Sequence, residues 1–431
     1  MGAGRHAVLR RGAWLHRDFR RLWVAESVSQ FGSAISELAL PLVAILIVHA
    51  STFEVGLLAA CATVPFVLVG LPAGALVDRL PTRGVLVCAD LIRFGALVSV
   101  PLAAWMHEVT VEQLFGVALV TGGATVFFDV GYQSYLPELI ERDELVDGNA
   151  KLQASESVAQ IAGPGLGGVL ILALTAPVAV LVDALTFLWS AAWLGRIRTP
   201  ARRTAVRETR SLRREIGEGL RFVIGHQLLR AIAASTATSN LFHAMAMAVY
   251  YILLARTLHL SPAVIGLLAA IGSVGALLAS LFAQRLRERL GAGRTIWLPI
   301  LAGAVPPFVL PFVHRNWTLG LLAVSLVWYS ACIVTYNIAQ VSLRQTVCPP
   351  ELLGRMNATM RFLVWGTLPV GSVLGGVLGT WIGLRPTLLV AAVGCSLAFL
   401  PTWCSPLRTM HELPPSADVP DDEMQGPQVG M

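Results

Sequence analysis

Long apolar runs follow one another along the chain, separated by short polar stretches. Each run approaches the roughly 20 residues that a bilayer-spanning helix needs. About twelve of them begin near Leu22, Val55, Gly84, Val111, Leu152, Pro177, Leu228, Ala263, Thr295, Thr318, Thr359 and Pro386. Polar positions inside the runs are few, and in the first they fall on one helical stripe: Glu26, Gln30, Ser33 and Glu37. A step of 210 residues leads from Gln30 to Asn240, where Thr236, Asn240, His243 and Met247 repeat that spacing. The pattern predicts an all-α membrane protein. The first run is too long for a signal-peptide core, and no small-residue cleavage site follows it, so it reads as a first span.

The two halves of the chain also resemble each other in sequence. Asn149 opens N-A-K-L and leads to G-P-G-L-G-G-V-L. Asn357, 208 residues on, opens N-A-T-M and leads to G-S-V-L-G-G-V-L. Gly163, Gly167 and Gly168 thus fall on Gly371, Gly375 and Gly376. A step of about half the length points to two pseudo-symmetric six-helix bundles, the plan of many transporters. Paired polar stripes are what two such bundles need where they face a shared, water-filled cavity. Hydrogen bonding between packed helices accounts equally well for Gln30 and Asn240, and less well for the acid Glu37.

Composition agrees. Apolar residues make up 55% of the chain and charged residues 13%, with a mean hydropathy of +0.68. A soluble protein has about 25% charged residues. The net charge of +6 is a topology signal and no sign of nucleic acid, because the arginines gather in alternate loops. Arg5 to Arg21, Arg79 and Arg83, Arg196 to Arg230 and Arg285 to Arg294 lie on one side; the opposite loops hold only Arg256, Arg315 and Arg385. By the positive-inside rule both termini are cytoplasmic, with the lipid bilayer as partner. The expected organisation is a basic N-terminus over 1–21, a first bundle over 22–197, a linker with an amphipathic helix over 198–227, a second bundle over 228–404 and a disordered acidic tail over 405–431. A solvated linker is the alternative for 198–227. Six scattered cysteines, with no C-x-x-C pair and no His/Cys cluster, support neither disulfides nor a metal site.

Charges inside spans each need a reason, since one at the bilayer centre costs about 2.5–3.5 kcal/mol on insertion scales. Asp90 and Arg93 are i, i+3 neighbours and read as a structural ion pair. Asp129 aligns with Asn337 and is open to two readings, a gate or proton site and a headgroup-depth carboxylate. Asp183 has no evident partner in its own helix. His243 reads either as a hydrogen-bonded structural residue or, from its place in the second stripe, as a cavity residue. Trp328, Tyr329 and Tyr336, with Phe127 and Phe128, offer an aromatic wall or interface anchors.

After the second run comes G-A-L-V-D-R-L-P-T-R, Gly74 to Arg83. It resembles the loop motif of the major facilitator superfamily at Gly74, Leu76, Asp78, Arg79 and Arg83. Pro81 and Thr82 depart from it. An aspartate at a helix end suits the free N–H groups of another helix's start. The resemblance implies a latch from Asp78 to the start of the eleventh helix, near Asn357–Thr359. A loop in which Asp78, Arg79 and Arg83 only cap the turn is the plainer reading. The matching loop of the second half has Gln284 in place of the aspartate.

Gly163-Pro164-Gly165-Leu166-Gly167-Gly168 is similar to the end of the motif typical of proton-coupled exporters, without its upstream glycines. Proline kinks a helix and glycines allow close packing, so a tightly packed bend is expected there. Arg17-Asp18-Phe19-Arg20, Leu136-Pro137-Glu138-Leu139 and Asp183-Ala184 with Phe187 add to the likeness. Together they resemble the exporter branch that contains macrolide efflux proteins and the enterobactin exporter. The resemblance implies proton-coupled export of a small, largely apolar compound from the cell by alternating access, without enzyme activity or cofactor, by a monomer. Glu37, Asp129 and Asp183 are the proton candidates, and Glu26, Gln30, Ser33, Thr236, Asn240, His243, Trp328 and Tyr329 the cavity candidates. No G-x-x-x-x-G-K-[ST] is present, so ion coupling is expected in place of ATP hydrolysis within the chain. The alternatives are an importer on the same fold, a lipid scramblase and a non-transporting sensor.

Overall fold

The computed structural model describes residues 12–77, 79–141, 144–198, 212–349 and 352–411, and all of their regular structure is helical. The first half contains α1 (Arg17–Leu46), α2 (Thr52–Leu68), α3 (Gly70–Val77), α4 (Thr82–Met106), α5 (Val111–Leu139), α6 (Leu145–Ala173) and α7 (Ala176–Gly195). The short α8 (Leu212–Gly225) follows. The second half contains α9 (Gln227–Ile252), α10 (Pro262–Leu290), α11 (Arg294–Gly303), α12 (Thr318–Val347), α13 (Leu353–Trp365), α14 (Thr367–Trp381), α15 (Leu384–Leu397) and α16 (Leu400–Trp403).

Among the described residues, 11 helical segments are long and apolar enough to cross a membrane. The second run is the exception: α2 has 17 residues and α3 resumes after Val69. Proline explains the interruption. Pro72 has no N–H for the carbonyl of Leu68, so the ladder breaks one turn before it. Pro369 and Pro401 stand in the same relation to the breaks between α13 and α14 and between α15 and α16. Pro164, by contrast, sits inside α6 without ending it.

Packing within each half is dense. In the first, α1 packs on α6 and α7, and α4 packs on α5 and α7; in the second, α9 packs on α14 and α15, and α10 on α12. The halves meet along two helix pairs, α2 with α14 and α6 with α10. We call the end of the molecule that holds the turn between α1 and α2 the distal end. That turn ends with Ser51, whose hydroxyl accepts from the Glu54 N–H while the Glu54 carboxylate accepts from the Ser51 N–H, a reciprocal cap at the start of α2.

The helix in the linker, α8, docks on the second half: Arg355 donates to Glu218 at 2.6 Å, and Val223 is buried in the cluster that holds Met356 and Met360. Its first residues' side chains, Leu212 and Ile216 among them, lie outside the described set. The tail boundary at 405 is too early, because residues up to His411 pack on the start of α11. The Gly293 N–H donates to the Met410 carbonyl at 3.0 Å and the Ala292 N–H to the His411 carbonyl at 2.9 Å. Residues 412–431 lie outside the described part.

Candidate functional site

The polar stripe on α1 divides into two parts. Near its start, Gln30 Nε2 donates to Glu26 Oε1 at 2.6 Å, while Glu26 is 8% exposed and its other carboxylate oxygen is buried without a hydrogen bond. Further along, Ser33 and Glu37 line a cavity of about 350 Å³ with Leu97, Phe187 and Asp183. Met247, Ala248 and Tyr251 of α9 complete the wall, so the cavity is shared by both halves. Glu37, two-thirds of the way along α1, keeps accessible surface on the cavity side and is otherwise enclosed by the bundle. An acid at this depth in an apolar bundle carries a cost that calls for a reason.

Behind it lies a buried cation. The Arg93 guanidinium sits between the rings of Phe128 and Phe187, 4.3 and 4.2 Å from their centroids, and donates to the Asp90 carboxylate. A desolvated cation between aromatic faces gains about 2 kcal/mol or more. The pair that i, i+3 spacing suggests is thus formed, with Asp90 fully buried. The charge of Arg93 also acts on Glu26, Asp129 and Asp183. Arg93 thus lies within electrostatic reach of four carboxylates, Asp90 among them.

Asp183 has a partner that the sequence did not suggest. Thr186, one turn along the same helix, donates to it at 3.3 Å. The carboxylate occupies the space where a side chain at Gly32 would stand, so Gly32 is what admits an acid between α1 and α7. Asp129 is half-buried on α5 and lines neither cavity described here. It interacts electrostatically with Glu156 of α6 and, across the halves, with Arg361 of α13. Arg361 is a residue the sequence reading passed over, although a lone arginine just inside a run opening at Thr359 was a visible signal. Its guanidinium lies 4.9 Å from the Trp365 ring, which packs on Phe66 of α2 with centroids 4.9 Å apart.

The stripe on α9 behaves differently along its length. Thr236 hydrogen-bonds the Tyr336 hydroxyl, and Asn240 donates to the Val364 carbonyl at 3.2 Å, so both are used between helices. His243 Nδ1 pairs with the Tyr329 hydroxyl at 3.1 Å, their rings stacked with centroids 5.7 Å apart. Both line a second cavity, of about 260 Å³, with Tyr250 and Cys395. Met247 and Tyr251 line this cavity and the first, joining the acidic chamber of one half to the aromatic chamber of the other. Trp328 is elsewhere: its indole N–H donates to the Ala302 carbonyl at 3.0 Å and its ring is 55% exposed.

Of the loop motif, Asp78 lies outside the described residues, as does the Gln284 side chain. Gly74 has open space where a side chain would be, and Arg79 is exposed. Arg83 donates to the Ile197 carbonyl at 2.7 Å, tying the start of α4 to the end of α7.

The glycines of α6 serve two different contacts. Gly163 and Gly167 face α1 in their own half, against Ala34 and Ile35. Gly168 faces α10, where a Cβ would stand 2.6 Å from the Pro262 carbonyl oxygen and 3.0 Å from the Gly266 Cα. The symmetric crossing joins α2 to α14, where a Cβ on Gly56 would stand 2.7 Å from the Gly376 Cα. Both crossings are at the distal end, as is the Arg256 guanidinium, which donates across the halves to the Ile45 carbonyl at 2.8 Å. Gly56 and Gly266 were missed in the sequence, but the signal is there: V-G-L-L-A-A from Val55 recurs as I-G-L-L-A-A from Ile265, a step of 210.

Comparison with known proteins agrees with this architecture. Residues 12–430 match the model of the transmembrane secretion effector family. The chain is 27% identical over 387 residues to the multidrug efflux pump Tap of Mycolicibacterium fortuitum, covering 86% of this chain and 92% of the pump. It is 27% identical over 424 residues to the enterobactin exporter EntS of Citrobacter koseri, covering 94% and 95% of the two chains. Among solved structures, the nucleoside transporter NupG superposes with a TM-score of 0.71 at 13% identity, over 90% of this chain and 99% of that one. A bacterial homologue of the iron transporter ferroportin, in an inward-facing state, gives 0.71 at 16% identity, over 90% and 98%. These two likenesses speak for the fold alone. The chain belongs to the transmembrane secretion effector family of the major facilitator superfamily, and it is a multi-span cell-membrane transporter with no enzyme activity.

Proposed function

We propose that the protein exports a small, largely apolar compound in exchange for protons. The observation that carries this reading is Glu37, a carboxylate that lines a cavity both halves build. The largely apolar lining suits an apolar cargo, and Asp183 in the same wall offers a proton a second carboxylate, with Arg93 as a fixed positive charge beside it. The relatives named as an efflux pump and an exporter support the direction of transport. In this reading α2 and α3 form one interrupted span, giving twelve, and the arginine distribution sets both termini in the cytoplasm. The bundles run over 22–197 and 228–404, joined by the segment 198–227. The distal end then faces outward, and its glycine crossings hold the inward-facing state. Alternating access follows by rocking one half against the other about the shared cavity.

The experiment is transport into everted membrane vesicles, using a panel of fluorescent lipophilic compounds with and without an imposed proton gradient. The proposal expects accumulation that collapses with the gradient. Gradient-driven loss from preloaded vesicles would instead identify an importer.

A further inference from the structure

Where α10 ends and α11 begins, a groove of about 880 Å³ opens beside α12. Its rim is basic. Arg287, Arg289 and Arg294 stand there with exposed side chains, and Glu288 is the one acid among the lining residues. Its floor is different in kind: Ala283, Ile338 and Ala339 lie there with Ser280, Thr335 and Ser342, and the first and second of these hydroxyls donate to carbonyls of their own helices. The floor belongs to the apolar segments Pro262–Ala283 and Thr318–Val347, which cross the membrane; the arginines follow the first of these. The groove therefore has a charged mouth at the bilayer surface and an uncharged bed of small apolar and hydroxyl side chains beneath it.

The backbone donors at the start of α11 are already used. Ala292 and Gly293 donate to the carbonyls of His411 and Met410, so recognition of an anion falls to the arginine side chains. Arg287 and Arg289 also stand in the last turn of α10, where the helix dipole favours cations. We propose that this groove binds an anionic phospholipid, its phosphate against Arg287 and Arg294 and an acyl chain along Ile338 and Ala283. Basic pockets between membrane helices suit such headgroups. An acidic peptide has nothing apolar to lay along the floor, and free phosphate leaves the floor empty.

The test titrates phosphatidylglycerol onto the purified full-length protein in detergent, counting bound lipid by native mass spectrometry. Each surface arginine is worth about fivefold in affinity for an anionic lipid. Arg287→Ala with Arg294→Ala should therefore weaken binding by roughly 25-fold. The charge-matched control, Arg221→Ala with Arg315→Ala, removes exposed arginines outside the groove and should stay within about twofold. Should the first pair fail to fold, Ile338→Glu, at a side chain 41% exposed, is expected to lose at least about tenfold by placing an anion on the floor. Phosphatidylcholine binding as tightly as phosphatidylglycerol would overturn the proposal. So would equal losses in the two arginine pairs, or displacement of the lipid by inorganic phosphate alone.

Discussion

A Cβ placed on Gly56 would stand 2.7 Å from the Cα of Gly376, and one placed on Gly266 would stand 2.9 Å from the Cα of Gly168. The two crossings are symmetry mates, one on each side of the distal end. Each is a place where helices from opposite halves touch backbone to backbone. Overfilling a close-packed contact costs about 1–3 kcal/mol. Gly56→Ala or Gly168→Ala should therefore shift the balance away from the closed distal end by roughly tenfold. Labelling a cysteine at Ala255, buried beside Arg256 at that end, in a variant without its native cysteines, should speed up accordingly. Gly167→Ala, which meets Ile35 within one half, should lower thermal stability and leave labelling nearly unchanged. Equal labelling in all three variants would count against the assignment.

The Asp90–Arg93 pair makes a second prediction. Removing one partner of a buried ion pair strands the other charge and costs about 3–5 kcal/mol, whereas removing both costs far less. Arg93→Ala should therefore express poorly and melt early. Asp90→Asn combined with Arg93→Gln should recover most of the lost stability. Thermal unfolding in detergent reads this directly. No recovery in the double variant would assign Arg93 to its aromatic neighbours and not to Asp90.

Much of the fold was legible because span length and apolarity are properties of the runs themselves. Helix starts such as Val111 and Thr318 coincide with the runs that predict them. What the runs hid was helix rotation. Gly163 and Gly167 are one turn apart and share a face, while Gly168 is rotated about 100° further round the helix and looks at the other half. The same limit separates Tyr329, which reaches the cavity, from its neighbour Trp328, which does not. Asp183 illustrates a different gap, since its room is made by a glycine on another helix. The nearness of Arg93 to Glu26, Asp129 and Asp183 depends on tertiary packing, which no local spacing reveals.

The loop motif makes a third prediction, from sequence. With an aspartate at 78 and glutamine at the matching position 284, the latch is expected to be one-sided. Asp78→Asn should lower transport by at least about tenfold, the worth of roughly 1.4 kcal/mol in the latched state. Gln284→Ala should cost less than about twofold. Transport rates at matched expression decide, and equal losses would remove the asymmetry.

The central claim is that Glu37 couples protons to cargo. Glutamine at this position mimics the protonated acid but cannot cycle. A proton moving inward gains about 2.3 kcal/mol for each 100 mV of membrane potential, besides the pH term, and that drive is what the variant should lose. The direct measurement is export by reconstituted protein under an imposed pH gradient, comparing wild type with Glu37→Gln. The account predicts that the variant still binds cargo and exchanges it downhill, with no stimulation by the gradient. Gradient-stimulated export of wild-type size in Glu37→Gln would contradict it.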